Sequence, residues 1–212
     1  MARQKMVFWD VDTQADFMLP GGKLYVPGAE TLLPLLQRLR EFAKQQHIPL
    51  VSTADAHATD DPEFQQWPPH CIRGTAGQLK VPETLGDQYL VVPRERRTPV
   101  TDEEFSRYPQ FILEKNMLDV FTSPQTDDLV KRLDAECYIV YGVATEYCVR
   151  CAALGLLERK QRVAVVRDAI RGIDATEGQK VLNELVAHGA ELISSAEVLV
   201  GASVEQAQPQ HR

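Results

Sequence analysis

The segment that ends at Cys148 places a cysteine where a thiolate nucleophile could act. The sequence Gly142-Val-Ala-Thr-Glu-Tyr-Cys148 predicts a strand end, a tight turn and the first turn of a helix. Backbone N–H groups and the helix dipole at such a point favour a thiolate. The same N–H groups could stabilise the oxyanion that forms when a thiolate attacks a carbonyl carbon. A cysteine that is simply buried in the core fits this segment as well.

A redox site is a second interpretation of this helix start, because Cys148 and Cys151 form a C-x-x-C motif. The motif lies in the C-terminal third, after several predicted strands, and it lacks the short βαβ context of thioredoxin-like sites. With a spacing of three residues on one helix, Cys151 is more simply a packed neighbour of Cys148. We expect all four cysteines to be free thiols, as is usual in a reducing compartment.

Asp55, His57 and His70 could form a metal site. The first two follow a predicted strand, and His70 lies in an irregular stretch over residues 55–88 that is rich in Asp, Pro, Gly and His. Such long irregular stretches inside a compact domain are usually functional. One carboxylate and two imidazoles are plausible ligands for Zn, Fe or Mn and leave coordination positions open for water or substrate. The alternative is a surface loop with ordinary histidines.

Two further titratable side chains follow predicted strands. Asp12 ends a buried apolar run and could act as a base or only as a cap, and Lys115 follows the apolar run 111–113. A lone lysine at a strand end is more often a surface residue. Active sites of parallel sheets form at the carboxyl ends of the strands. We therefore expect Asp12, Asp55, Lys115 and the turn 144–148 to lie at one edge of a sheet.

Hydrophobic periodicity divides the chain into alternating strands and helices. The predicted strands cover residues 6–9, 48–53, 89–92, 111–113, 138–143, 162–167 and 191–194. The predicted helices cover residues 27–46, 124–133, 145–160 and 177–188. This alternation predicts an α/β fold with a mostly parallel sheet and helices on both faces. The sequence has no internal repeat or linker, so we expect one domain over residues 1–200 and a polar C-terminal tail over residues 201–212.

The composition is that of an ordinary acidic globular protein. The chain has 212 residues, of which 44% are hydrophobic, and it is long enough to bury a proper core. Its 23 Lys and Arg against 30 Asp and Glu give a formal charge of -7, which repels phosphate backbones and anionic lipids. No secretory signal and no apolar run of ~20 residues is found. We therefore expect a cytoplasmic protein without nucleic-acid or membrane partners.

Taken together, these segments resemble the motifs of the isochorismatase-like cysteine hydrolases, in the same order and with compatible spacing. Asp12-Thr-Gln-Ala-Asp-Phe17 resembles the first motif, Lys115 matches the catalytic lysine, and Gly142-Val-Ala-Thr-Glu-Tyr-Cys148-Val resembles the nucleophile motif. Asp55-Ala-His57 and Trp67-Pro-Pro-His70-Cys-Ile-Arg-Gly-Thr-Ala-Gly77 resemble the nicotinamidase branch in particular. The resemblance covers roughly residues 6–195.

The resemblance implies a three-layer α-β-α fold with a mostly parallel six-stranded sheet. It implies a hydrolase of a small amide, in which Cys148 is the nucleophile and Asp12 and Lys115 are its partners. For the nicotinamidase branch the reaction would convert nicotinamide to nicotinate and ammonia in NAD salvage, a part of pyridine nucleotide metabolism. A cis peptide between Val143 and Ala144 is also implied, which would aim the N–H groups of Ala144 and Cys148 at the oxyanion.

One divalent metal ion, Zn, Fe or Mn, is implied at Asp55, His57 and His70, with Glu63 as the best-placed further ligand. Family members are often oligomers, so a homo-oligomer is a further expectation. Three aromatic side chains are implied to bind the substrate: Phe17, Trp67 and Tyr147.

The chain departs from the family pattern near the expected pocket. Ala15 replaces the usual asparagine, Ala56 stands where a bulky aromatic residue is common, and residues 116–121 lack the usual Gly and Ser/Tyr-rich sequence. These differences leave another small amide, ureido or carbamoyl substrate open. A vinyl-ether hydrolase would not need the cysteine, and a noncatalytic scaffold would not need the aspartate, lysine and cysteine together. A thiol-disulfide oxidoreductase remains the redox alternative.

Overall fold

A single seven-stranded sheet forms the centre of the computed structural model, which describes residues 4–205. In chain order the strands are β1 (Val7–Val11), β2 (Leu50–Asp55), β3 (Tyr89–Val92), β4 (Gln110–Lys115), β5 (Tyr138–Val143), β6 (Val163–Arg171) and β7 (Glu191–Ile193). Their spatial order is β3-β4-β2-β1-β5-β6-β7, and every pair runs parallel. The α/β prediction is confirmed, but the six-strand count is wrong because the short β7 pairs with β6 and adds a strand at that edge.

Seven helices accompany the sheet in the described part of the chain. They are α1 (Ala15–Met18), α2 (Leu33–Gln45), α3 (Asp102–Arg107), α4 (Pro124–Leu133), α5 (Arg150–Glu158), α6 (Ala175–Ala187) and α7 (Ser195–Glu205). None of them is long and apolar enough to cross a membrane. Helix α7 continues through Glu205, past residue 200 where the polar tail was predicted to begin. Residues 206–212 of that predicted tail lie outside the described residues.

Helices cover both faces of the sheet because its parallel crossovers lead in opposite directions. The crossover from β1 to β2 contains α2, and the crossover from β5 to β6 contains α5. Parallel crossovers are right-handed, so these two helices lie on opposite faces. Successive residues of β1 point to opposite faces. Phe8 accordingly stacks on Phe42 of α2 with ring centroids 6.3 Å apart, and Trp9 stacks on Phe121 at 6.1 Å.

The central strands β1 and β5 mark the point where the strand order reverses. From β1 the chain moves to β2 on one side, and from β5 it moves to β6 on the other. Open parallel sheets form a crevice at the carboxyl ends of the strands at such a switch point. Asp12 and the segment leading to Cys148 leave β1 and β5 at this point, so the topology brings them to the same crevice.

Candidate active site

Lys115, the last residue of β4, is the centre of a buried cluster of charged and nucleophilic groups. Its ammonium lies 2.8 Å from Asp12 Oδ2 and 3.5 Å from Cys148 Sγ, and it also forms an ion pair with Asp55. All four side chains are buried. The structure thus brings together the three residues that the sequence placed at separate strand ends, and it adds Asp55 as a direct neighbour of the lysine.

Burial and charge set the resting ionisation of this cluster. Burial alone would lower the pKa of Lys115, but the carboxylates of Asp12 and Asp55 raise it well above its ordinary value. Burial raises the pKa of the Cys148 thiol well above its ordinary value, with Lys115 opposing this change and the carboxylates adding to it. Burial also disfavours the charged form of Asp55, yet Lys115 and two histidines hold the pKa of that carboxyl far below its usual range. At rest the cluster therefore holds an ammonium ion beside a neutral thiol.

Cys148 lies on an irregular turn between β5 and α5. The peptide bond between Val143 and Ala144 is cis, and residues Thr145–Val149 form a π-helical turn before α5 begins. In that turn the Val149 N–H donates to the Ala144 carbonyl, 3.2 Å away, which is the wider hydrogen-bond spacing of a π-helix. The predicted helix over 145–160 therefore begins with a π turn that carries the cysteine, and π turns of this kind are frequent at functional sites.

Gly142 allows β5 to approach β1 just before this turn. Its φ is 119°, and a Cβ atom at this position would lie 2.2 Å from the carbonyl oxygen of Val11. Only glycine fits such a close approach in this backbone conformation. The glycine at the start of the nucleophile motif thus sets how close the two central strands come beside the crevice.

Asp55, His57 and His70 bring candidate metal-ligand atoms within 4.8 Å of one another. The His57 Nε2 and His70 Nε2 atoms lie 3.7 and 3.8 Å from Asp55 Oδ2, and the two imidazole rings are 4.8 Å apart. His57 is fully buried, yet neither of its ring nitrogens makes a well-directed hydrogen bond. Buried polar atoms normally have a partner. The unused nitrogens and the mixed N/O donor set fit a divalent ion such as zinc.

Asp61 and Glu63 border this cluster. Asp61 Oδ2 lies 3.1 Å from His57 Nδ1 and accepts a hydrogen bond from Asn116 Nδ2 at 3.2 Å. A carboxylate beside the far nitrogen of a metal-binding histidine typically fixes the orientation of its ring. Glu63 belongs to a second candidate ligand set with His57 and Asp61. The structure thus places Asp61 behind His57.

The first motif anchors this cluster through Gln14 and Asp16. The Gln14 amide donates to the carbonyl of Asp55 at 2.8 Å and accepts from its N–H at 2.7 Å. Asp16 accepts a hydrogen bond from the Cys71 N–H at 2.7 Å and holds the loop next to His70. A Cβ atom on Gly77 would overlap the Asp16 carboxylate, so the glycine makes room for this contact. Gln14 therefore positions Asp55 at the end of β2, and Asp16 positions the loop that carries His70.

A pocket at the crevice brings these groups together. Among the described residues, its wall includes Asp12, Asp55, Glu63, His70, Val143, Ala144 and Cys148. The three predicted aromatic residues Phe17, Trp67 and Tyr147 also line it. The rings of Trp67 and Tyr147 meet edge to face at 5.3 Å, and Phe17 lies 5.3 Å from the His70 ring. Cys148 is the only cysteine among these lining residues, so the geometry singles it out from Cys151.

Four apolar wall residues and one tethering residue were not identified from the sequence. The apolar residues are Leu24, Val26, Leu118 and Ile173. The carboxylate of Glu146 accepts hydrogen bonds from the N–H groups of Ile173 at 3.2 Å and Asp174 at 2.6 Å. Glu146 lies on the same turn as Cys148, so these hydrogen bonds join the segment that contains Ile173 to the turn that carries the cysteine. No local pattern could reveal this contact, because the partners are 27 and 28 residues apart.

Comparison with known proteins agrees with this geometry. The model of the isochorismatase domain family matches residues 7–197. The nicotinamidase of Saccharomyces cerevisiae is 27% identical over 86% of this chain and 96% of its own, and that of Escherichia coli is 24% identical over 88% and 93%. A crystal structure of the Pyrococcus horikoshii pyrazinamidase in complex with zinc has a TM-score of 0.75 at 25% identity, covering 90% of this chain and 99% of that one. The chain therefore belongs to the isochorismatase domain family and is a nicotinamidase-like hydrolase.

Proposed function

We propose that this chain is a metal-containing amidohydrolase that converts nicotinamide to nicotinate and ammonia through a thioester on Cys148. The observation that carries the proposal is the contact of one buried lysine with both the Asp12 carboxylate and the Cys148 thiol, beside an aromatic-walled pocket. The similarity to nicotinamidases along most of the chain supports the same substrate class. Such a reaction belongs to NAD salvage.

Attack by Cys148 requires a proton acceptor, since burial keeps the thiol neutral at rest. Asp12 Oδ2 is the candidate, because it shares the Lys115 ammonium with Cys148 and no other described group donates a hydrogen bond to it. Lys115 remains charged and offsets the negative charge as it moves from the carboxylate to the sulfur. The proton of the thiol therefore passes to Asp12 as the sulfur attacks the carboxamide carbon.

The tetrahedral oxyanion would be stabilised by the backbone N–H groups of Ala144 and Cys148, at the cis peptide and the π turn. Asp12 then returns its proton to the departing nitrogen, the C–N bond breaks and ammonia leaves. A thioester between Cys148 and the acyl group remains. Asp12, again a carboxylate, takes a proton from water as the hydroxide attacks the thioester carbonyl. The C–S bond then breaks, nicotinic acid leaves and ionises to nicotinate, and Asp12 returns its proton to the sulfur.

Asp55, His57 and His70 would hold the divalent ion, and we propose Glu63, which shares a second candidate set with His57 and Asp61, as a further ligand. A bound ion would supply Lewis-acid chemistry that orients the pyridine ring. The zinc in the related pyrazinamidase structure supports a metal in this branch of the family. For this chain we propose a divalent ion, and zinc is the one used in the test below.

The pocket wall matches a neutral aromatic amide. Phe17, Trp67 and Tyr147 supply ring surfaces, and the apolar residues Leu118 and Ile173 complete the wall. No Lys or Arg lines the pocket among the described residues, so a phosphate or second carboxylate on the substrate would find no basic side chain there. This chemistry favours nicotinamide over its phosphorylated derivatives and over dicarboxylate substrates.

The test is ammonia release from nicotinamide by the reduced, zinc-loaded protein, run beside the chelated protein and the Cys148→Ala variant. We expect ammonia from the loaded wild type, less from the chelated protein and none from Cys148→Ala. Absence of ammonia from folded, zinc-loaded wild type would overturn nicotinamide as the substrate. A panel of small amide, ureido and carbamoyl compounds would then identify the amide that is cleaved.

A further inference from the structure

Thr53 lies behind Asp12, where β1 and β2 stop pairing. The parallel register joins Trp9 to Val51 and Asp10 to Ser52, and Asp12 then turns into left-handed backbone with a φ of 46°. Such a conformation is uncommon for a residue other than glycine and takes the backbone out of the sheet. The Asp12 N–H donates instead to the Thr53 hydroxyl, 3.2 Å away. A side chain of β2 thus replaces the backbone partner that the sheet no longer provides.

The same hydroxyl also contacts the Asp12 side chain. Thr53 Oγ1 donates a hydrogen bond to Asp12 Oδ1, and both residues are buried. A threonine hydroxyl has one hydrogen and can accept at the same time. The hydroxyl therefore forms two hydrogen bonds with Asp12: it accepts one from the backbone N–H and donates one to a carboxylate oxygen. The other oxygen, Oδ2, lies 2.8 Å from the Lys115 ammonium, and no other described group donates a hydrogen bond to it.

We propose that Thr53 is a positioning residue that selects the oxygen of Asp12 used in proton transfer. With Oδ1 occupied by the Thr53 hydroxyl, Oδ2 is the atom left to accept the proton of Cys148 and to return it to the leaving group. This inference rests on the proposed function of Asp12 and Cys148. It adds a residue outside the Asp, Lys and Cys set to the machinery of the reaction.

The backbone of Thr53 is itself fixed, so the hydroxyl has a defined position. Lys80 Nζ donates to the Thr53 carbonyl at 3.3 Å and pairs with Asp10 at 2.9 Å, which ties β2 to β1. Two residues further on, Gln14 holds both backbone groups of Asp55. Serine at position 53 would keep the hydroxyl on this fixed backbone. Valine would keep the shape and remove the hydrogen bonds.

The first test compares Thr53→Val and Thr53→Ser with a control, Thr84→Val. Thr84 is also buried and its hydroxyl lies 2.8 Å from that of Thr13, but no hydrogen bond joins it to Asp12. We expect Thr53→Val to lower kcat for nicotinamide roughly 10–100-fold with KM changed less than about threefold, as for an interaction used mainly in the transition state. Thr53→Ser and Thr84→Val should retain most of the wild-type kcat. Should valine prevent folding, Thr53→Ala is compared in the same way.

A second readout does not depend on the substrate. Alkylation of Cys148 by iodoacetamide also needs the thiol proton to leave, and peptide mass spectrometry separates it from alkylation at the other cysteines. We expect slower alkylation of Cys148 in Thr53→Val than in Thr84→Val or Thr53→Ser. Equal kcat and equal alkylation rates in wild type and Thr53→Val would overturn the role of Thr53. Slower alkylation in a protein that leaves nicotinamide intact would support Thr53 and count against the proposed substrate.

Discussion

Two buried lysines, Lys80 and Lys115, pair with aspartates at the ends of neighbouring strands, but their surroundings differ. Lys80 lies 2.9 Å from Asp10, whose two carboxylate oxygens also accept hydrogen bonds from the hydroxyls of Thr13 and Ser52, each at 2.9 Å. Lys115 instead contacts two carboxylates and a thiol at once. Lys80 completes a polar network with no member in the pocket wall, whereas the carboxylates and the thiol around Lys115 line the pocket.

The difference shows which buried charges belong to a reaction. Both lysines are buried and both are paired, so burial and charge do not separate them. Asp12 lines the pocket, and among the described residues its Oδ2 atom is paired with the Lys115 ammonium alone, whereas Asp10 does not line the pocket and both of its oxygens accept hydroxyl hydrogen bonds. A structural ion pair is stable when every atom is satisfied, while a proton acceptor needs access to the substrate. Access of the paired carboxylate to the pocket is therefore the better indicator.

The largest expected effect is that of Cys148→Ala. Loss of the nucleophile should lower kcat by roughly 10⁴-fold or more, as for nucleophiles of comparable hydrolases. The fold should persist, because the alanine removes only one sulfur atom from the Lys115 cluster. Steady-state ammonia release measures the loss of kcat, and a thermal melt checks that the fold persists. Cys151→Ala is the matched control and should retain activity; similar losses from both variants would instead favour the redox interpretation.

Replacing each lysine by methionine should affect different properties: kcat at Lys115 and the free energy of unfolding at Lys80. Lys115→Met should lower kcat roughly 10³-fold, since it removes the charge that stabilises the thiolate. Lys80→Met should cost about 3–5 kcal/mol of unfolding free energy, because Asp10 is left buried and unpaired, while the folded protein loses far less kcat than Lys115→Met. Urea unfolding and kcat per folded chain measure these quantities. A stable, inactive Lys80→Met protein would contradict the distinction.

The Asp/His cluster adjoins the pocket and contacts Lys115 through Asp55. Removing one of its histidines should therefore lower activity more than it lowers the free energy of unfolding. We expect His57→Ala to weaken zinc binding roughly 10²-fold or more and to lower ammonia release in parallel. Metal content after dialysis, measured by mass spectrometry, and activity on zinc titration check this. The control is His188→Ala, which removes an exposed histidine directly after the last residue of α6. Unchanged zinc content in His57→Ala would exclude that histidine as a ligand.

The smallest effect is expected at a surface pair, Arg96 and Glu104. Hydrogen bonds from Arg96 and from the Thr101 N–H at the start of α3 hold the pKa of Glu104 at about 2. Its folded pKa lies below the unfolded value, so its contribution is present above about pH 4.3 and is lost as the pH falls through about 2. Glu104→Gln should cost less than ~1 kcal/mol at neutral pH.

Urea unfolding of Glu104→Gln across this pH range, beside the exposed neighbour variant Glu103→Gln, measures the pH-dependent difference. We expect the difference between the two variants to shrink towards acid pH and the rate of ammonia release to stay unchanged. A difference that grows as the pH falls would contradict the assignment to Glu104.

Periodicity located the core elements of the fold better than its short ones. All seven strands coincide with apolar runs, and α4 and α6 begin and end within two residues of their predicted positions. The helix predicted over 27–46 begins with a 3₁₀ turn, Ala29–Leu32, so that α2 starts only at Leu33. Helix α3 was missed because it has no fully buried side chain, although Thr101 and Glu104 form a capping box that the sequence displays. Strand β6 extends four residues beyond the predicted end, past a register shift opposite Val140 and Gly142 that no periodicity could indicate.

The sequence indicated site residues that occur in motifs and not those that act through distant contacts. Cys148, Lys115 and the Asp/His cluster were proposed because titratable residues follow predicted strands and because these segments resemble the family motifs. The structure brings them together, and their catalytic and metal-binding roles stay predictions. Thr53 was overlooked because its hydroxyl serves Asp12, 41 residues away, and lies within an otherwise ordinary buried strand. The π turn was overlooked for a similar reason, since its hydrogen-bond spacing depends on packing against β5 and not on local sequence.

The central claim is that Cys148 forms a covalent acyl intermediate with nicotinamide. The most direct test is to quench the zinc-loaded wild type with acid during turnover and to examine the peptide that contains Cys148 by mass spectrometry. We predict a nicotinoyl adduct on Cys148 that disappears when the substrate is exhausted and that Cys148→Ala never forms. Continued ammonia release by Cys148→Ala, with no adduct in the wild type, would contradict the account.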